Sequence, residues 1–519
     1  MASRARPLRL PMGAALAAAL LGAMTLGTVG AVAIHAGAAP IGPADWAALR
    51  FTLLQAFLSA LISTALAIPV ARALARRRFP GRGALITLMG APFLLPVIVA
   101  ILGLLAIFGR GGTLNQLLTT AGLPPISPYG LHGVLLAHVF LNLPLATRMI
   151  LQGWQAIPAE RFRLARSLAL TPMAQFRHLE FPMLRATLPG AFLTIFTLCL
   201  ASFATALILG GGPAATTVEL AIYQALRFDF APDRAATLAL LQFALTTAAL
   251  LAGWALIRDT GFGAGLGRPP ELPAPKGWRR ALDAAAITLA AAFLILPLAA
   301  LVARGLPGLT NLPQGLIGAT TRSLAIALAS AALATAAALA LALATARRAM
   351  GHRLFDAAAT FPLAASSLVI GTGLFLMLRP FAAPSDLAIP VTIATNATLA
   401  LPYSYRLLSP PARALLADYG RLTAALALTP AAKFRLVTLP QLARPLGFGA
   451  GITAALSMGD LGVITLFAGQ TNATLPLYIH SLMGSYRMEQ AAAASLLLLT
   501  LSFTLFALFD GIGRRHAPA

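Results

Sequence analysis

One polar, basic element is written twice in this chain, between stretches that are otherwise apolar. The first copy reads RLARSLALTPMAQFRHLEFP, from Arg163 to Pro182, and the second reads RLTAALALTPAAKFRLVTLP, from Arg421 to Pro440. Ala-Leu-Thr-Pro, Phe-Arg and a closing Pro recur at the same spacing, 258 residues apart in a chain of 519. A repeat at half the chain length predicts two homologous halves. The contrast with its surroundings predicts a soluble contact surface, made twice, on a membrane protein.

Composition supports the membrane setting. The chain is 59% hydrophobic and 10% charged, with mean hydropathy +0.83, whereas globular domains carry about 25% charged residues. The net charge of +23 does not point to nucleic acid. Its cations fall in clusters at 4–9, 72–82, 148–185, 258–280, 346–353, 406–444 and 514–515, and alternate loops are poor in them. That is the positive-inside pattern of a polytopic protein, with no continuous basic face carrying interleaved aromatics. Lone Cys199 excludes an intrachain disulfide.

Apolar runs long enough to cross a bilayer fall near 12–34, 51–72, 84–108, 130–150, 187–209 and 235–257. Six more fall near 283–303, 323–345, 356–378, 388–405, 445–467 and 490–511. The expectation is an all-α polytopic protein of about twelve transmembrane helices, with both termini in the cytoplasm. Residues 1–257 form the first six-helix half and 283–519 the second. The Gly- and Pro-rich segment 258–282 joins them as a cytoplasmic linker. The first span is read as a retained helix rather than a signal peptide, since its apolar run is long and further spans follow. An even number of spans per half makes the repeats parallel, with a translocation path between them.

Each repeated loop, 152–185 and 406–444, lies on the basic side. Thr171 and Thr429 are placed to cap a short helix whose first residue is Pro172 or Pro430. Phe176 with Leu179, and Phe434 with Val437, then share a face flanked by Arg177 or Arg435. Small Ala169 and Ala427 before the turn permit close approach of backbone. Two such knobs suit grooves on a two-fold soluble partner.

The spacing from Ala169 to Pro182 and from Ala427 to Pro440 resembles the EAA loop of ABC importer permeases. In that family the loop forms a coupling helix seated in a cleft of the ATPase. Arg163-Leu-Ala165 and Arg421-Leu-Thr stand where the family carries Glu-Ala-Ala, and Ala169 and Ala427 stand where it carries Gly. Segments Gln55 to Leu61, Arg76 to Arg82, Ser127 to Pro144, Leu209 to Leu226 and Leu475 to Arg487 are similar to the fused, two-half permeases of thiamine/thiamine-pyrophosphate importers. The resemblance implies a type I ABC importer permease of the bacterial inner membrane. It further implies two copies of a cytoplasmic ATPase, a periplasmic binding protein, and thiamine or its phosphates as substrate. Fused iron(III) permeases are the alternative. No G-x-x-x-x-G-K-[ST] loop occurs, so ATP hydrolysis is expected on a separate chain.

Asp460 is the one carboxylate well inside an apolar run, a candidate for gating or conduction. Glu219 is read as facing either a binding protein or water at the outer end of a span. Gly210 to Gly212, ahead of Pro213, read as a turn. His132 and His138 lack further ligands for a metal site. The glycines of 261–267 miss the dinucleotide spacing. No cofactor is expected. A twelve-span secondary transporter would need acid relays within helices and no duplicated docking loop. A membrane enzyme would need a cluster of acids, histidines or a nucleophile that the sequence does not carry.

Overall fold

The computed structural model describes residues 11–37, 40–90, 94–256, 277–469 and 472–517. Arg4, Arg6 and Arg9, Pro92 and most of the expected linker, including its glycines, lie outside them. The described chain is helical, with no strand among the described residues. Twelve principal helices correspond to the twelve apolar runs: α1 Met12–His35, α2 Pro43–Arg76, α3 Val97–Phe108, α4 Leu131–Ala156, α5 Phe181–Leu200 and α6 Pro232–Leu256. In the second half they are α7 Trp278–Gly308, α8 Leu316–Ala346, α9 Ser367–Leu378, α10 Ala388–Ala425, α11 Leu439–Met458 and α12 Met488–Arg515.

Not all of these are membrane spans by composition. Among the described residues nine helices are long and apolar enough to cross, or ten if the pair His352–Ala364 and Ser367–Leu378, bent by 98°, is one span. The expected spans 388–405 and 445–467 fall in α10 and α11, which fail that test. Both pack inside the bundle, against each other and against α8. α10 buries Thr392, Thr395, Asn396, Thr398 and Ser404 there. A helix that meets protein rather than lipid can carry polar and small residues on every face.

Besides the bent run 356–378, three expected spans are broken rather than straight. The run 187–209 is α5, a break at Ala201 and Ser202, then Phe203–Leu209. The run 445–467 breaks at Gly459 and Asp460, the same place 258 residues later. The run 84–108 is Arg82–Leu88 followed by α3. Hydropathy averages across such breaks and does not register them. Irregular backbone at membrane depth is tolerated where it is enclosed by protein or lines a cavity, and these breaks do both.

Helices α2, α4 and α5 pack together, as do α8, α10 and α11. The first helix of each set of six lies elsewhere. α1 packs on α6 but also on α8 and α9, while α7 packs on α12 but also on α2 and α3. A glycine marks each crossing. A Cβ on Gly103 of α3 would lie 2.8 Å from the Pro297 carbonyl oxygen of α7. A Cβ on Gly373 of α9 would fall still closer to the Thr28 carbonyl oxygen of α1. The ion pair Arg77–Asp283, 2.8 Å, ties α2 to α7 at one end. The first helix therefore has packing partners in both halves.

Short helices Val218–Arg227 and Leu475–Gly484 follow α5 and α11 and fold back against the bundle. The Val218 N–H donates to Thr52 Oγ1 at 2.9 Å, and the Leu475 N–H donates to Ser323 Oγ at 2.7 Å. Folding back buries Glu219 completely, beside Gln242 and Ser366. This corrects its reading as a residue facing water or a binding protein. Gly211 and Gly212 take φ of 72° and 136° ahead of Pro213, the turn expected there.

Candidate functional site: two coupling turns and a central cavity

The repeated elements adopt the same local structure. After Ala159–Ser167 the chain turns at Ala169, φ 46°, and after α10 it turns at Ala427, φ 44°. In the first turn the Leu170 N–H donates to the Ala165 carbonyl and the Ala169 N–H to the Arg166 carbonyl, both at 3.0 Å. The second turn repeats this from Leu428 to Thr423 and from Ala427 to Ala424. These are the bonds of a left-handed helix stop, a place where glycine is the usual residue. Alanine here is a tolerated exception.

The capping expected from Thr-Pro is present. Thr171 Oγ1 accepts from the Ala174 N–H at 3.3 Å and Thr429 Oγ1 from the Ala432 N–H at 3.2 Å. Pro172 and Pro430 occupy the first helical position of Pro172–Gln175 and Pro430–Lys433. Both short helices widen into a π-type turn, Phe176–Glu180 and Phe434–Thr438, that runs directly into α5 or α11 at Pro182 or Pro440. Each turn is thus continuous with a helix that reaches the central cavity.

The apolar face differs from the one read in the sequence. Phe176 is half-buried, with the Arg72 guanidinium 5.3 Å from its ring centroid, and Phe434 is 41% exposed. Further exposed apolar surface comes from the preceding segment, where Leu164 and Leu168 are 59% and 61% exposed. Leu422 and Leu426, 258 residues on, are 52% and 61% exposed. Each pair sits at i, i+4 on one face. Arg163, Arg177, Arg421 and Arg435 are exposed around these faces, and Ala165 is buried beneath its own.

The two elements are anchored unequally. Glu180, 3% exposed, pairs with Arg72 at 2.8 Å and Arg76 at 2.7 Å on α2. Its counterpart is Thr438, facing Arg347 across a cleft of about 340 Å³ that Lys433 also lines. Burial and the neighbouring Arg347 hold the Lys433 ammonium below the ordinary lysine range. The sequence reading missed Glu180, because an acid in a basic loop gives no sign that its partners lie 104 residues away.

Two adjoining cavities, about 670 and 650 Å³, open between the two sets of helices and share Leu145, Ser367, Tyr403 and Asp460. The helix breaks form their walls. A Cβ on Gly459 would lie 2.9 Å from Pro96 Cβ, so the break ahead of Asp460 touches the start of α3. Ser202, the counterpart of Asp460, bonds His138 Nε2 at 2.8 Å, while His138 Nδ1 bonds Ser59 at 3.0 Å. Asn396, the counterpart of His138, donates instead to Ser457 at 2.9 Å. Asp460 is left with the Gly462 N–H on Oδ1, at 3.1 Å.

Similar proteins decide what this architecture is. The thiamine transport system permease protein of Salmonella typhimurium is 40% identical over 91% of this chain and 90% of its own length. This chain belongs to the thiamine transport system permease family. The Brucella abortus (strain 2308) member is 37% identical over 98% of this chain and 96% of its own, and the Haemophilus influenzae member 34% over 88% and 87%. No protein-family model matches the chain. Membership makes it a multi-pass, non-enzymatic transport subunit.

Proposed function

We propose that this permease imports thiamine and thiamine phosphates across the bacterial inner membrane, as the membrane subunit of an ATP-driven importer. The observation that carries the reading is the similarity of nine-tenths of the chain to thiamine transport permeases. The twin capped turns support the division of labour. Halves 1–257 and 283–519, joined through a cytoplasmic linker at 258–282, each present one turn to one of two ATPase copies. Leu164, Leu168 and Phe176 in one half, and Leu422, Leu426 and Phe434 in the other, form the knobs. Arg163, Arg177, Arg421 and Arg435 supply the charges around them.

A periplasmic binding protein delivers the solute at the opposite face, and both termini lie in the cytoplasm. When ATP closes the two ATPases, each turn is pushed with the helix that continues it. α5 and α11 then carry the motion to the breaks at Ser202 and Asp460, and the cavity changes the side to which it opens. Asp460 gates that path. No specific observation favours the iron(III) or secondary-transporter alternatives.

Proteoliposomes holding the permease with its ATPase and binding protein test the reading. ATP-dependent uptake of radiolabelled thiamine is the expected result, abolished by Phe176→Ala with Phe434→Ala. Uptake that persists without ATP, or no uptake of thiamine or its phosphates, rejects it.

A further inference from the structure

Building on that substrate reading, we propose that the central cavity grips its solute at two ends: Asp460 receives a cationic ring, and Arg148 with Arg406 receives a phosphate. The two arginines hold equivalent positions, each four residues beyond a proline inside its helix, Pro144 in α4 and Pro402 in α10. Both side chains are exposed, Arg406 lining the first of the two adjoining cavities and Arg148 the second. Neither forms an ion pair among the described residues. Gly90 leaves the Arg148 guanidinium the space that a Cβ would fill.

The two largely apolar cavities adjoin through Leu145, Tyr403 and Asp460, so each holds one guanidinium without an anion, and a phosphate brought to their junction supplies it. The planar fork of arginine suits phosphate oxygens in pairs. A hydrophobic passage for an uncharged solute has no use for this arrangement.

The other end carries the opposite charge. Asp460 Oδ2 is buried with no hydrogen-bond partner, although Oδ1 accepts from the Gly462 N–H. A buried carboxylate oxygen without a partner demands an explanation, and a cation presented from the cavity supplies one. Only the second half has this acid, since Ser202 stands in its place in the first.

The ends are well separated. Asn396, bonded to Ser457 three residues before Asp460, and Arg406, ten residues further along α10, line the same cavity as Asp460. At 1.5 Å per residue that is about 15 Å. Arginine side chains reach back over part of that distance, so a solute whose cationic ring carries a phosphate chain engages both groups. Free thiamine engages the Asp460 end alone.

The test compares ATP-driven uptake of thiamine and thiamine diphosphate in the reconstituted transporter, with binding protein and ATPase present. In Arg148→Gln with Arg406→Gln, the ratio of diphosphate to thiamine uptake is expected to fall about tenfold, equivalent to about 1.4 kcal/mol. Asp460→Asn is expected to lower both uptakes and leave the ratio within twofold, roughly 0.4 kcal/mol on the same scale. If the double variant does not insert, the single variants carry the test, each lowering the ratio about threefold. An unchanged ratio in the arginine variants, or a ratio changed by Asp460→Asn as much as by them, overturns the inference while the thiamine reading stands. Wild-type uptake of neither compound overturns both.

Discussion

Glu180 meets Arg76 at 2.7 Å with its carboxylate only 3% exposed, and this pair fastens the first coupling turn to α2. Arg72 adds a second contact and also covers the Phe176 ring. In the second element Thr438 and Arg347 occupy these places with no acid between them.

Glu180→Gln leaves two partly buried cations without their anion. Removing one member of a buried pair costs about 3–5 kcal/mol. Arg72 is 32% exposed, so water recovers part of that, and a loss of about 2 kcal/mol is expected. Thermal unfolding of the detergent-solubilised transporter reads it. Basal ATP hydrolysis should persist while transport per ATP falls, because the first turn has lost its grip on α2. Unchanged stability and unchanged transport per ATP would refute the role given to this carboxylate.

The glycines at the helix crossings make a second case. A methyl group on Gly103 or Gly373 meets a backbone carbonyl of α7 or α1, an atom that cannot rotate away. Gly103→Ala and Gly373→Ala should each destabilise by about 1–3 kcal/mol, the range for overfilling a packed contact. Gly511, in α12, has open space around its would-be Cβ, so Gly511→Ala should be neutral or stabilising by up to about 1 kcal/mol. Melting curves of the three variants that did not separate in this order would contradict the crossings.

The left-handed alanines give a prediction of opposite sign. An L-residue in this conformation is disfavoured by about 1–2 kcal/mol, and glycine escapes that penalty at the expense of a more flexible unfolded chain. Ala169→Gly and Ala427→Gly, at φ 46° and 44°, are expected to stabilise the turns by about 0.5–1 kcal/mol each. Association with the ATPase should be retained. A lower melting temperature in the double variant would count against the turn geometry.

The docking faces can be tested without touching the core. Leu168→Ser with Leu426→Ser changes two side chains that are each 61% exposed. Membrane insertion and the melting temperature should hold, while co-purification of the ATPase drops by about tenfold or more, as expected when central apolar anchors of an interface are removed. ATPase retained at the wild-type level would place the interface elsewhere.

Much of this architecture was legible in the sequence because the duplication aligned residues that hydropathy alone treats as unrelated. Thr171-Pro172 and Thr429-Pro430 announced their caps because capping depends on adjacent residues. Asp460 announced itself as a lone acid in an apolar run. What stayed hidden was non-local. The bonds from Val218 to Thr52 and from Leu475 to Ser323 join residues more than 150 apart. The packing of α1 and α7 was equally hidden, because an alanine-rich helix is apolar on every side and carries no address for its neighbours. Leu164 and Leu168 were within reach, since their spacing was there to be read, but the aromatic residues after the turn drew the reading instead.

The crossing of α1 and α7 also constrains how the molecule comes into being. When the ribosome has made only residues up to α6, the Gly103 surface of α3 has nothing to rest on, and α1 lacks α8 and α9. Neither set of six helices can therefore mature before the other is threaded into the bilayer. Fusing both into one polypeptide guarantees that each lent helix finds its recipient at equal dosage, with no search among separate subunits.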